Sequence, residues 1–147
     1  MSGTVTGSLN GLLADSTVFY QKLRHYHWNV TGPGFFELHA KFEEVYNRWV
    51  VYIDEVAERI IALDTIPLHT LASILEHASL KEDPEITSGP EMVRRAMADL
   101  ETLRGTIDGI IESAEAGDDR TTVNLLDEIR DGVEADRWML QQWLKKI

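Results

Sequence analysis

The stretch Phe35-Phe36-Glu37-Leu38-His39-Ala40-Lys41-Phe42-Glu43-Glu44-Val45-Tyr46-Asn47-Arg48-Trp49-Val50-Val51-Tyr52-Ile53-Asp54-Glu55-Val56-Ala57-Glu58-Arg59-Ile60-Ile61-Ala62-Leu63 contains neither glycine nor proline. Its residues Leu38, Phe42, Tyr46, Trp49, Ile53, Val56, Ile60 and Leu63 step by three and four, the period of one helical face. This predicts a single long amphipathic helix, helix B. Four polar residues each follow an expected core position by one: His39 after Leu38, Glu43 after Phe42, Asp54 after Ile53 and Glu58 after Ala57. At about 100° per residue, the offset places them on the border of the buried face. His39 and Glu43 are four apart, as are Asp54 and Glu58, so each pair shares a helix face. Either pair taken alone reads as a solvated surface pair. Val50 and Ile61 lie near the same border. A border that mixes apolar residues with carboxylates points to contact with another helix outside the bundle.

Distance decides how the two pairs could work together. His39 and Asp54 are 15 residues apart, or ~22 Å along a helix at about 1.5 Å per residue. Metal–ligand bonds are about 2 Å long, so one ion cannot touch both within a chain. If two copies of helix B pack antiparallel about a two-fold axis near Tyr46 to Trp49, His39 and Glu43 of one chain face Asp54 and Glu58 of the other. Such an isologous contact makes two identical sites. The expectation is therefore an inter-subunit metal site, formed twice per dimer.

Working outward, helix A is predicted from about Leu9 to Val30, with Leu9, Leu13, Ser16, Tyr20, Leu23, His27 and Val30 on one stripe. Residues 1–8 are expected to be a short flexible segment. Thr31-Gly32-Pro33-Gly34 stops helix A. After helix B a short helix is expected over Leu68 to His77, with Pro67 at its entrance. Lys81 to Pro90 then crosses to helix C, which carries Met92 or Val93, Ala96, Leu100, Leu103, Ile107, Ile110 and Ala114. Gly117-Asp118-Asp119 turns the chain into helix D, with Val123, Leu126, Ile129, Val133, Leu140 and Leu144. Short A–B and C–D joints with a long B–C connection predict an all-α four-helix bundle with a short extra helix in the crossover, a single domain over 1–147. Periodicity alone also allows a generic helical bundle.

Composition narrows the function classes. The 147 residues suffice for one well-filled core. There is no cysteine, which excludes disulfides, thiolate metal sites and cysteine nucleophiles. Met1 to Asn10 has neither a basic nor an apolar region of the kind a signal peptide needs, and no apolar run approaches a membrane span of roughly 18 residues. The cytoplasm is the default compartment. With 14 Lys+Arg against 25 Asp+Glu the net charge is −11, a surface that repels phosphate backbones and attracts cations. The first basic side chain is Lys22, so a basic DNA-binding arm is not expected at that end; Lys145 and Lys146 complement a helix C-terminus. No histidine has a glutamate three residues before it, so the intra-bundle di-iron pattern of ferritins is not expected.

The block His27-Trp28-Asn29-Val30-x-Gly32-x-x-Phe35-x-x-Leu38-His39-x-x-Phe42-x-x-x-Tyr46, followed by Ile53-Asp54-Glu55-x-Ala57-Glu58-Arg59, resembles the signature of the Dps family of mini-ferritins within the ferritin-like superfamily. The likeness continues through Thr70-Leu71, Gly117-Asp118-Asp119 and Trp138-Met139-Leu140. It implies a ferroxidase and iron store that oxidises Fe(II) with hydrogen peroxide, or more slowly with O₂. The resemblance also implies a dodecameric homo-oligomer that protects against oxidative stress, with zinc or another divalent metal as a possible substitute. The ligands it implies are His27, His39 and Glu43 from one subunit with Asp54 and Glu58 from its two-fold partner. His27 comes from the resemblance alone. Two imidazoles and three carboxylates suit Fe(II) and the harder Fe(III) product.

Two departures stand out: Glu43 replaces the commoner Asp, and Asp64-Thr65 replaces a glycine after helix B. Trp28 reads either as a radical quencher, as the family implies, or as an interface aromatic. Asp118, Asp119, Asp127 and Glu128 read either as helix-dipole and surface acids or as an acidic three-fold pore guiding Fe(II), with Asn124 where many members have an acid. His25 is expected at the surface, His69 and His77 to be structural, and Trp49, Trp138 and Trp143 to be core or interface aromatics. The competing readings are a DNA-compacting nucleoid protein, which the charge disfavours, and a non-catalytic shell whose helix B face is only an interface.

Overall fold

The computed structural model describes the backbone from Ser2 to Lys145 and side chains from Val5 to Lys145. Its helices are α1 (Ser2–Asn29), α2 (Phe35–Ala62), α3 (Leu71–His77), α4 (Gly89–Ala116) and α5 (Arg120–Leu144). Helices α1 and α2 form one antiparallel hairpin, α4 and α5 the other, and α1 packs on α4 to join them. The short α3 lies against α1. This is the four-helix bundle with a helical crossover that the periodicity predicted.

The stripes converge on one core. Leu9, Leu12, Phe19, Leu23 and Tyr26 of α1 are buried with Leu38, Phe42, Trp49 and Ile60 of α2. Met92, Leu100, Leu103 and Ile107 of α4 join them, as do Leu126, Ile129 and Val133 of α5. Rings lock the α1–α2 pair edge to face: Phe19 on Trp49 with centroids 5.3 Å apart, and Tyr20 on Tyr46 at 5.7 Å.

Helix starts differ from the sequence reading at α1 and α3, and Gly89 and Pro90, expected in the crossover, open α4. The first helix begins at Ser2 rather than Leu9, so the segment expected to be flexible over 1–8 is helical from Ser2. Val5 and Thr6 are buried, because the apolar stripe extends one turn further back than the leading glycines and hydroxyl residues implied. Met1 lies outside the described residues. The crossover helix starts at Leu71 rather than Leu68. Thr70 caps it through a bond from the Ser73 amide, while Pro67 belongs to the extended run before it. Asn10 holds that run, accepting from the Leu68 amide at 2.9 Å and donating to the Ile66 carbonyl at 3.3 Å. Ser88 caps α4 with Pro90 in its first turn, and Asp119 caps α5. Lys145 caps the C-terminal end of α5, whereas Lys146 lies outside the described residues.

From Ala78 to Ser88 the chain crosses the bundle as a strap, fastened by side chains beneath it. Asp15 accepts from the amides of Ser79 at 2.7 Å and Leu80 at 3.0 Å. His25 Nε2 donates to the Glu85 carbonyl at 2.8 Å. The Tyr26 hydroxyl donates to Asp83 at 2.7 Å, and the Arg95 guanidinium donates to the same carboxylate at 3.0 Å. Burial and then the Asp83 contact push the Tyr26 phenol well above its ordinary range. Burial opposes ionisation of Asp83, yet the Tyr26 hydroxyl, the Glu85 amide and Arg95 outweigh it and hold that carboxyl below its usual range. In the α1–α2 turn, beside which the strap ends, Gly34 adopts φ 83, and a Cβ there would stand 2.6 Å from the Trp143 ring. The α1–α2 turn therefore needs glycine both for its backbone and for the room it leaves.

Candidate metal centre

His27 sits on the last turn of α1 and His39 near the start of α2, on either side of the Thr31–Gly34 turn. The hairpin brings them face to face. Their rings stack with centroids 3.8 Å apart and planes 16° from parallel. His27 Nδ1 donates to the His39 carbonyl at 2.7 Å, and His39 Nδ1 donates to the His27 carbonyl, also at 2.7 Å. A carbonyl oxygen only accepts, so both Nδ1 atoms carry the proton. In the neutral imidazole this leaves a lone pair on each Nε2, the tautomer a metal ion requires. Phe35 stacks on the outer face of His39 at 5.1 Å, and the edge of Tyr46 closes on His27 at 5.4 Å. Both rings are thus clamped by packing and by backbone before any ion arrives.

The carboxylates occupy the same helix. Glu43 lies one turn after His39, whereas Asp54 and Glu58 lie about three and four turns further on, all three exposed. Among the described residues, no group of three or more His, Cys, Asp or Glu side chains in one chain could hold a metal ion. The structure therefore joins His27 to His39 and leaves Asp54 and Glu58 at the far end of α2. Between and beside the two ends, Val50 and Ile61 are exposed apolar residues on the same border. Around Asp54 and Glu58 negative charge accumulates. Burial, then Glu128, Asp54 and Glu58, raise the Glu55 carboxyl above its ordinary range. Such a field favours a cation.

A family model described as a ferritin-like domain matches residues 7–147. A DNA protection during starvation protein of Brevibacillus brevis is 42% identical over 93% of this chain and 92% of its own. The crystal structure of a Dps protein from Vibrio cholerae matches with TM-score 0.94 and 38% identity, covering 97% of this chain and 90% of that one. It is described as a member of a broad superfamily of ferritin-like diiron-carboxylate proteins.

The chain belongs to the Dps type of the ferritin-like family.

A Dps structure from Listeria innocua soaked with zinc is also similar, with TM-score 0.93 and 30% identity over 96% of each chain. In this Dps-type chain the remaining candidates fall into place individually. Asp119 is committed: it caps α5 through the Thr122 amide at 3.1 Å and pairs with Arg59 at 2.9 Å. Burial opposes its ionisation, but the Thr122 contacts and Arg59 hold it below the usual range. Asp118 is exposed in the left-handed region at φ 57, and Asp127 and Glu128 face solvent. His25 is half-buried under the strap, accepting at Nδ1 from Asn29 at 2.9 Å. His69 and His77 bond local carbonyls of Pro67 and Ser73. Trp49 is core, Trp143 is half-buried against the α1–α2 turn, and Trp28 and Trp138 are exposed. Spacing alone missed His27. It is twelve residues from His39 and on a different helix, so only the hairpin makes the two neighbours.

No helix among the described residues is long and apolar enough to cross a membrane.

Proposed function

We propose that this Dps-type protein binds Fe(II) at sites shared between two subunits, oxidises it to Fe(III) with hydrogen peroxide, and stores the product inside a homo-oligomeric shell. The observation that carries this is the reciprocal His27–His39 pair, whose two Nδ1–H···O=C bonds orient both Nε2 atoms for a metal. In the proposal Glu43 adds a carboxylate from the same chain, and Asp54 and Glu58 come from the two-fold partner. The exposed apolar border at Val50 and Ile61 supplies the surface on which two α2 helices would meet. Zinc and other divalent ions could take the same donors.

Iron is the substrate. Two Fe(II) each give up one electron, the O–O bond of hydrogen peroxide breaks as it accepts both, and two hydroxides leave. Mixed nitrogen and oxygen donors accommodate both oxidation states, and exposed carboxylates hold Fe(III) loosely enough to pass it on. The net charge of −11 favours cation entry and opposes a DNA backbone. Asp118, Asp127 and Glu128 are the surface carboxylates available for guiding iron to a pore, whereas Asp119 is occupied by Arg59 and its cap. The fold's relatives and the charge are in keeping with a cytoplasmic role in limiting peroxide damage.

The shared site has a test that a one-chain site would fail. His39→Ala and Glu58→Ala assemblies are each expected to lose peroxide-dependent iron oxidation. When the two variants are unfolded together and reassembled, every mixed dimer holds one site with no substituted ligand. Random pairing then restores about a quarter of the wild-type sites, since half the dimers are mixed and each carries one intact site of two. No recovery on mixing, in assemblies of normal size, would sink the shared-site reading.

A further inference from the structure

Polar side chains hold α2 from the α5 side. Asp136 of α5 is 2% exposed, and its two oxygens are taken by two cations of α2. Lys41 Nζ donates to Oδ1 at 3.1 Å, and the Arg48 guanidinium donates to Oδ2. Lys41 and Arg48 are seven residues apart, about two turns along one face. One turn before Asp136, Gly132 lets the Tyr52 hydroxyl approach so closely that a Cβ there would collide with it. Toward the far end of α2, Arg59 donates to Asp119 and to the Thr122 hydroxyl, both at 2.9 Å. One face of α2 is thus seated on α5 by charge at both ends and by a close approach between them.

That face is turned away from the metal border. His39 and Glu43 are each two positions from Lys41, Val50 is two from Arg48, and Ile61 is two from Arg59. Two positions are about 200° of helix, so each clamped cation stands nearly opposite a border residue. The His27 and His39 rings have their own carbonyl bonds. Among the described residues, no hydrogen bond or ion pair holds Glu43, Asp54 or Glu58. Where these carboxylates point is set by the rotation of α2 about its axis. Side-chain ends ride about 5–6 Å from a helix axis, so a turn of about 20° carries them about 2 Å, the length of a metal–ligand bond. Apolar packing is non-directional and resists such a turn weakly. Two charged hydrogen bonds to one buried carboxylate do have direction. We propose that Asp136 is a positioning residue of the metal centre: by holding Lys41 and Arg48 it fixes the rotation of α2, and with it the aim of Glu43 at the ion. This rests on the shared-site reading above. A buried ion pair adds little net stability, because desolvation offsets the attraction; the role of this one is geometric.

The experiment titrates the assembled protein with Co(II), so that binding is read without oxidation. It yields the affinity and the ligand-field absorption spectrum, which follows the number and geometry of the ligands. Asp136→Asn keeps the shape of the side chain and removes its charge. It is expected to weaken Co(II) binding about ten-fold and to change the band intensities, at parental assembly size. Val133→Ala, in the core of the same helix, costs stability without touching the clamp and is expected to keep both parental values. Arg48→Met is expected to behave as Asp136→Asn does. Arg48→Lys, which retains the cation, is expected to restore most of the affinity, and the two Arg48 variants carry the test if Asp136→Asn does not fold. Parental affinity and spectrum in Asp136→Asn and Arg48→Met overturn the proposal. An equal loss in Val133→Ala also overturns it, since the effect would then be one of stability. A parent that binds no Co(II) overturns the metal-site reading and this one with it. Binding that Glu43→Ala abolishes and Asp136→Asn spares overturns this one alone.

Discussion

Two positions set the local geometry around the histidine pair and the end of α2. At Gly34 the backbone sits at φ 83 with the Trp143 ring 2.6 Å from where a Cβ would be. Gly34→Ala therefore combines left-handed strain with an overpacked turn and is expected to lower stability by about 1–3 kcal/mol. Because the turn sets the spacing of His27 and His39, the same variant should also weaken Co(II) binding, measured by titration. Asp64 is the opposite case. It ends α2 at φ 60 with a Cβ in the left-handed region, where the resemblance led us to expect glycine. Asp64→Gly is expected to raise stability by about 0.5–1 kcal/mol. A fall in the thermal midpoint would show that the Asp side chain contributes more than its strain costs.

Among the elements, the strap is the one held chiefly by polar side chains. Asp83 accepts from Tyr26 and Arg95 at once, and its depressed pKa makes those contacts pH-dependent. The unfolded carboxyl titrates near about 3.9, and the folded one lies lower. Its contribution is therefore fully present above about pH 4 and is lost as pH falls through the folded value. Asp83→Asn should lose about 1–3 kcal/mol at neutral pH and should show a shallower decline in stability on acidification than the parent. Chemical denaturation at a series of pH values measures both; parallel acid limbs would mean that Asp83 is not the anchor. Hydrogen exchange should find the amides of Ser79 and Leu80, held by Asp15, among the better protected of the crossover.

On the scale of the whole molecule, the apolar border of α2 has no cover within one chain. Val50 is 44% and Ile61 57% exposed, flanking carboxylates that, among the described residues, belong to no group of three or more metal-ligating side chains in one chain. Val50→Glu with Ile61→Glu is expected to leave the bundle folded, with helical circular dichroism unchanged, because neither side chain belongs to the core. The same pair is expected to convert the assembly into smaller species in sedimentation and to abolish peroxide-dependent iron oxidation. Wild-type size with lost oxidation would place the assembly contacts elsewhere. Wild-type size with full oxidation would detach the chemistry from this face.

The sequence by itself determined the architecture. Four apolar stripes of helical period, two short joints and one long connection leave few packings for amphipathic helices that must bury one face. It also showed His39, Glu43, Asp54 and Glu58 on one border, since helical geometry converts spacing directly into direction. It did not locate the start of α1, because the stripe weakens among small and hydroxyl residues, nor that of α3, where a threonine cap overrides a proline signal. The resemblance implied that His27 joins His39, but only tertiary structure shows how the two meet. Their contact depends on how the Gly32–Gly34 turn folds α1 back on α2, and no periodicity within one helix encodes that. The same folding put Tyr46 rather than Trp28 against His27, because a neighbour along a helix points away while a residue on the opposing helix can point in.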